Sequence, residues 1–150
     1  MSSPAARRAL YAASIFGICD GMMSILGVVL ALRSHPELVP WAAAVGGIGA
    51  GLSMAVGQYL AEDTDDSIPA CAVLGAATLA GSVLPALPFL VVRGPAAAWA
   101  TGEVCTLLAA VVALLRGHGS LRRGLLALGL LGVVFTVTLL CALAAPGGTA

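Results

Sequence analysis

The chain has 150 residues, 60% hydrophobic and 9% charged, with a formal net charge of zero and a mean hydropathy of +1.05. This composition excludes an ordinary soluble domain and matches that of integral membrane proteins. There is no basic block to hold nucleic acid, and no phosphate loop, nucleophile and base pair or cofactor motif to support an enzyme, so partners are to be sought in or across the bilayer.

The apolar stretches fall at about 10–32, 40–60, 68–92, 95–115 and 124–144, each long enough to span. Their short connections leave no room for a soluble domain. The expected architecture is therefore all-α and polytopic: one transmembrane domain over 1–150, built as a five-helix bundle in which every backbone group is satisfied within its helix. Cys19, Cys71, Cys105 and Cys141 lie in different apolar segments without a C-x-x-C pair, which argues against a disulfide framework or a zinc knuckle.

The first segment carries Asp20. Ten residues beyond Leu10, it lies about 15 Å into the hydrocarbon, where an ionised Asp costs about 2.5 kcal/mol or more and usually faces a bundle interior or a polar path. Ala13, Gly17, Asp20, Ser24, Gly27 and Ala31 recur at spacings of three and four, a stripe that a second helix could approach closely. The competing reading is a protonated Asp20 that caps a neighbouring helix.

In the second segment, Gly46, Gly47, Gly49, Gly51 and Gly57 predict tight packing against a neighbour, because propensity alone disfavours so many glycines in a helix. Gly47, Gly51, Met54 and Gln58 share one face. Just beyond come Glu62, Asp63, Asp65 and Asp66, which read either as a funnel that concentrates cations or as a solvated acidic turn ending two helices.

The third segment ends in Gly81 to Pro88, where Pro85 and Pro88 each remove a backbone donor and predict a kink. The fourth carries Glu103, about 12 Å from Pro95, with Trp99, Thr106 and Ala110 on its face. The fifth has Gly129, Gly132 and Thr136 and no charge, so it reads as packing. A cytoplasmic N-terminus puts Arg7, Arg8, Arg116, Arg122 and Arg123 inside and only Arg33 and Arg93 outside; an odd helix number then leaves the C-terminus outside.

Several stretches together resemble the vacuolar iron transporter family: Asp20-Gly21-Met22-Met23-Ser24, Ser53-Met54-Ala55-Val56-Gly57-Gln58-Tyr59-Leu60, Gly81 to Pro88, and Ser120-Leu121-Arg122-Arg123-Gly124. The resemblance implies a homodimer of five-helix protomers that moves ferrous iron, often manganese too, out of the cytosol in exchange for protons. By matching position it makes Asp20 and Met54 path ligands. Gln58 stands where the family usually has Glu, and the cytosolic metal-binding domain that eukaryotic members insert is replaced here by residues 61–67, as in a bacterial member in the cell membrane.

The residues themselves tolerate this reading, since Fe²⁺ and Mn²⁺ accept carboxylate and water, and a thioether favours softer ions over Ca²⁺ or Mg²⁺. The expected metal-path residues are Asp20, Met54, Gln58 and Glu103, with Glu62, Asp63, Asp65 and Asp66 as the funnel; the metal is cargo, and no permanently bound cofactor is expected. Two alternatives stand beside it. One is a small-cation or drug antiporter, and the other a non-transporting subunit whose buried acids serve packing.

Overall fold

A computed structural model of the chain describes residues 4–61, 68–117 and 120–144. The elements are α1 (Pro4–Ala31), a 3₁₀ turn at Pro36–Leu38, α2 (Val39–Ala61), α3 (Ile68–Val83), a 3₁₀ turn at Leu84–Ala86, the short α4 (Pro88–Val91), α5 (Pro95–Gly117) and α6 (Leu121–Ala144). Among the described residues there is no strand, and four stretches are long and apolar enough to cross a membrane: Ala6–Ala31, Pro36–Ala61, Ile68–Val91 and Ala96–Arg116. The chain is an integral membrane protein by that measure. Its outward faces agree, with Trp41, Leu60, Val91 and Leu114 largely exposed where lipid would cover them.

α1 begins at Pro4, earlier than the apolar run, because proline suits a first helical turn and the following Ala and Arg residues are good helix formers. It ends before the Pro36 turn, where the His35 amide donates to the Leu32 carbonyl at 2.8 Å. Between α4 and α5 the chain reverses through Gly94, whose φ of +70° is a conformation that side-chain-bearing residues rarely adopt.

The hub of the bundle is α3, flanked by α1 on one side and α2 on the other. Small residues on all three helices make this possible. A Cβ on Gly17 would fall 2.6 Å from the Leu74 carbonyl oxygen, one on Gly81 2.6 Å from that of Ile18, and one on Gly51 2.6 Å from that of Gly75. Gly21 abuts the backbone of Thr78, Gly81 and Ser82 in the same way. These approaches fix the relative directions. Gly17 meets Leu74 and Gly21 meets Ser82, so α1 and α3 run parallel; Gly47 meets Ser82 and Gly51 meets Gly75, so α2 runs antiparallel to both.

The expected α1 stripe is thereby corrected. Gly17 belongs to the close contact, but its partner one turn on is Gly21, while Ser24 and Ala31 are exposed. The glycines of α2 divide likewise. Gly47 and Gly51 are buried against α3, whereas a Cβ on Gly46, Gly49 or Gly57 would meet nothing within 4 Å. A Cβ on Gly129 or Gly132 of α6 would likewise meet nothing within 4 Å, while α6 itself packs on α5 and α1.

Two apolar clusters complete the interior: Ile25, Val39, Ala43 and Ala86 toward the α1–α2 connection, and Met22, Leu26 and Cys105 between α1 and α5. The proline-rich end of α3 breaks as its sequence predicts, and α5 repairs the break. Pro88 has no N–H to give the Pro85 carbonyl, so the buried Thr101 hydroxyl donates to it instead, at 2.7 Å. Thr101→Val keeps the volume and orphans that carbonyl; a loss of about 1–2 kcal/mol is expected in detergent unfolding titrations.

Candidate functional site

Asp20 is half-buried in the middle of α1, about 21 Å from Ala6 and 17 Å from Ala31 along the helix. It makes no hydrogen bond or ion pair with any described residue. Its backbone neighbour Gly21 packs directly against Thr78, Gly81 and Ser82 of α3. The Ser82 hydroxyl, buried on α3, lies 3.4 Å from the Gly21 carbonyl and 3.0 Å from that of Thr78. The carboxylate therefore sits on a rigid frame without being part of it.

Gln58 and Met54 are half-buried one turn apart on α2. Gln58 lines a 340 Å³ cavity with Ala9, Ala12, Ala13, Phe16, Ala70 and Leu74, between the first half of α1 and the opposing parts of α2 and α3. Phe16 is one turn before Asp20 on α1, so this cavity opens along the side of α1 that carries the carboxylate.

The heights of these groups follow from the glycine contacts. Gly17 and Gly51 both rest against Leu74 and Gly75, which sets them level. Asp20 then lies about 5 Å to one side of that level and Met54 about 5 Å to the other, with Gln58 a further turn away. Because Cα–Cβ bonds lean toward a helix N-terminus and the two helices are antiparallel, Asp20 and Met54 lean toward one another across this gap. The arrangement is a stair of Gln58, Met54 and Asp20 rather than one converged set of ligands. A partner related by a two-fold axis along the bundle would preserve these heights, so doubling the chain does not merge the steps.

Glu103 belongs elsewhere. It is exposed on α5 and lines a 970 Å³ groove between α1, α5 and α6, with Met22, Met23, Trp99, Thr106 and Phe135 among the walls. Of the four expected metal-path residues, Gln58 and Glu103 thus line different hollows, and among the described residues no three His, Cys, Asp or Glu side chains gather as a metal-binding group. Glu62, Asp63, Asp65 and Asp66 lie outside the described residues.

No family model, curated protein or solved structure matches this chain. Its own residues carry the functional argument. Sequence reasoning placed Trp99, Glu103, Thr106 and Ala110 on one helix face, and all four line the groove. It missed the opposite walls, Met22, Met23, Leu131 and Phe135, because their meeting is a tertiary event without a local signal. It also missed α3 as the hub, although Gly75, Thr78, Gly81 and Ser82 recur there at small-residue spacing.

Proposed function

We propose that this protein is a membrane transporter that carries a divalent transition metal, Fe²⁺ or Mn²⁺, out of the cytosol in exchange for protons, along the stair formed by Gln58, Met54 and Asp20. The observation that carries this reading is Asp20: a carboxylate near mid-membrane, half-buried, with no protein partner among the described residues. If it served packing by capping a neighbouring helix, it would accept a hydrogen bond, and it accepts none from them. A transported ion has to be released as well as bound, and weak successive stations suit that better than a closed ligand cage. A carboxylate must shed its proton to hold a metal, which ties metal movement to proton movement.

In this proposal α6 is the fifth span, since 24 helical residues reach about 36 Å. The end of the bundle where α1 begins is cytoplasmic, because Arg7, Arg8, Arg116, Arg122 and Arg123 gather there and only Arg33 and Arg93 lie at the other. The protein forms a homodimer. Since α3 occupies Gly17, Gly21, Gly47 and Gly51, the face left for a second copy is the open one of α2, with Gly46, Gly49, Ser53 and Gly57 at small-residue spacing. Ser53→Cys should form a disulfide-linked dimer in native membranes, and Leu114→Cys on α5 should not; the reverse pattern would remove α2 from the interface.

The function is tested by uptake into proteoliposomes from a panel of Fe²⁺, Mn²⁺, Co²⁺, Zn²⁺ and Ca²⁺, with and without a pH gradient. Saturable Fe²⁺ or Mn²⁺ flux driven by the gradient is expected. Equal flux of Ca²⁺, or none of any metal, would count against it.

A further inference from the structure

The groove around Glu103 shares no lining residue with the Gln58 cavity and takes no part in the metal stair. Its 970 Å³ lies at the upper end of the range for pockets that hold drug-sized molecules. The walls are apolar apart from Glu103, Thr106 and the buried Cys105. The Thr106 hydroxyl is already committed to the Gly102 carbonyl at 2.8 Å. Glu103 has no hydrogen bond or ion pair among the described residues, and it lies about 11 Å inside the span that begins at Ala96.

The charge decides between occupants. A lipid tail or neutral molecule would leave the carboxylate unpaired in apolar surroundings. A second copy cannot neutralise it, because the chain has no Lys and Arg7, Arg8, Arg33, Arg93, Arg116, Arg122 and Arg123 all lie at the ends of the spans. A divalent metal needs several donors converging at roughly 2.0–2.6 Å, and a groove this wide offers one carboxylate. A bulky organic monocation meets every condition. Trp99, one turn from Glu103 on α5, and Phe135 on α6 present aromatic rings to the groove, which attract a dispersed positive charge. Met22 and Met23 supply flexible, polarisable walls that adjust to the ligand's shape.

We infer that the α1–α5–α6 groove is a binding site for lipophilic organic monocations, of the quaternary ammonium or phosphonium kind, with Glu103 as the counter-ion and Trp99 and Phe135 as aromatic walls. The inference does not rest on metal transport, and either can fail alone.

The chain has two tryptophans, so Trp41→Phe leaves Trp99 as the sole fluorescent reporter, and it already lines the site. In lipid nanodiscs, tetraphenylphosphonium should quench Trp99 saturably, while tetraphenylborate, equal in shape and opposite in charge, should not. Glu103→Gln should weaken phosphonium binding by about tenfold or more, because the loss is a full charge pair in a low-dielectric wall, and Glu103→Asp should retain most of it. Asp20→Asn should leave it unchanged. Saturable quenching by both ions alike, quenching that never saturates, or undiminished binding in folded Glu103→Gln would overturn the inference. So would a Trp99 emission that no ion alters but that shifts on dimer dissociation, since that would give the groove to a second copy.

Discussion

Gly81→Val is expected to push α1 off α3 and destabilise the whole bundle. A first carbon added at Gly81 would lie 2.6 Å from the carbonyl oxygen of Ile18, 3.0 Å from its Cα and 3.2 Å from its carbonyl carbon. All three are backbone atoms of a helix, so no rotamer change relieves the clash, and the helices must separate. Separation also draws the Ser82 hydroxyl from the Gly21 carbonyl, and it loosens the approaches at Gly17 and Gly21. Overpacking of this kind costs about 1–3 kcal/mol even where neighbours can adjust, and the two extra methyl groups of valine place it at or above that range. Gly129→Val on α6 is the matched control, since a Cβ there meets nothing within 4 Å. Unfolding titrations in mixed micelles should show a large loss for Gly81→Val and a small change for Gly129→Val. Equal effects would mean that the glycines act through backbone flexibility rather than through close packing.

Composition and segment length made the membrane character and the helical class legible, because a bilayer leaves the backbone few alternatives and demands about 20 apolar residues per crossing. The break at Gly81 to Pro88 was legible for the same reason, as a proline lacks its donor in any context. What the sequence left open was which small residues face which helix. Ser24 shares the spacing of Gly17 and Asp20 yet is exposed, and Gly46 and Gly49 look like Gly47 and Gly51 yet meet nothing. Periodicity marks a face, but only the third helix decides which face is used. In the site, Asp20 stood out because its chemistry conflicts with its surroundings, a purely local signal. The placing of Glu103 in a groove had no such signal, since it and Asp20 are both mid-segment acids in sequence and only the packing of α5 with α1 and α6 forms that groove.

Asp20→Asn carries the largest functional effect. The amide keeps the volume and much of the hydrogen-bonding capacity of the carboxyl group, so assembly should survive, but it loses the negative charge that a divalent ion needs and the proton that metal binding must displace. Met54→Leu removes only the thioether while retaining bulk, so it should shift preference toward harder ions or weaken Fe²⁺ transport without abolishing it. Gln58→Glu adds a carboxylate to the 340 Å³ cavity at the foot of the stair and should strengthen capture from the cytoplasmic side. Lower cytoplasmic pH should slow the wild-type protein, because protons compete with the metal for the same carboxylate.

The most direct measurement is the initial rate of Fe²⁺ or Mn²⁺ uptake into proteoliposomes, wild type against Asp20→Asn, at two pH values and matched protein density. Saturable, pH-sensitive flux in the wild type and none in a folded Asp20→Asn protein is the expected result; wild-type flux in Asp20→Asn would contradict the ligand role and return the residue to packing.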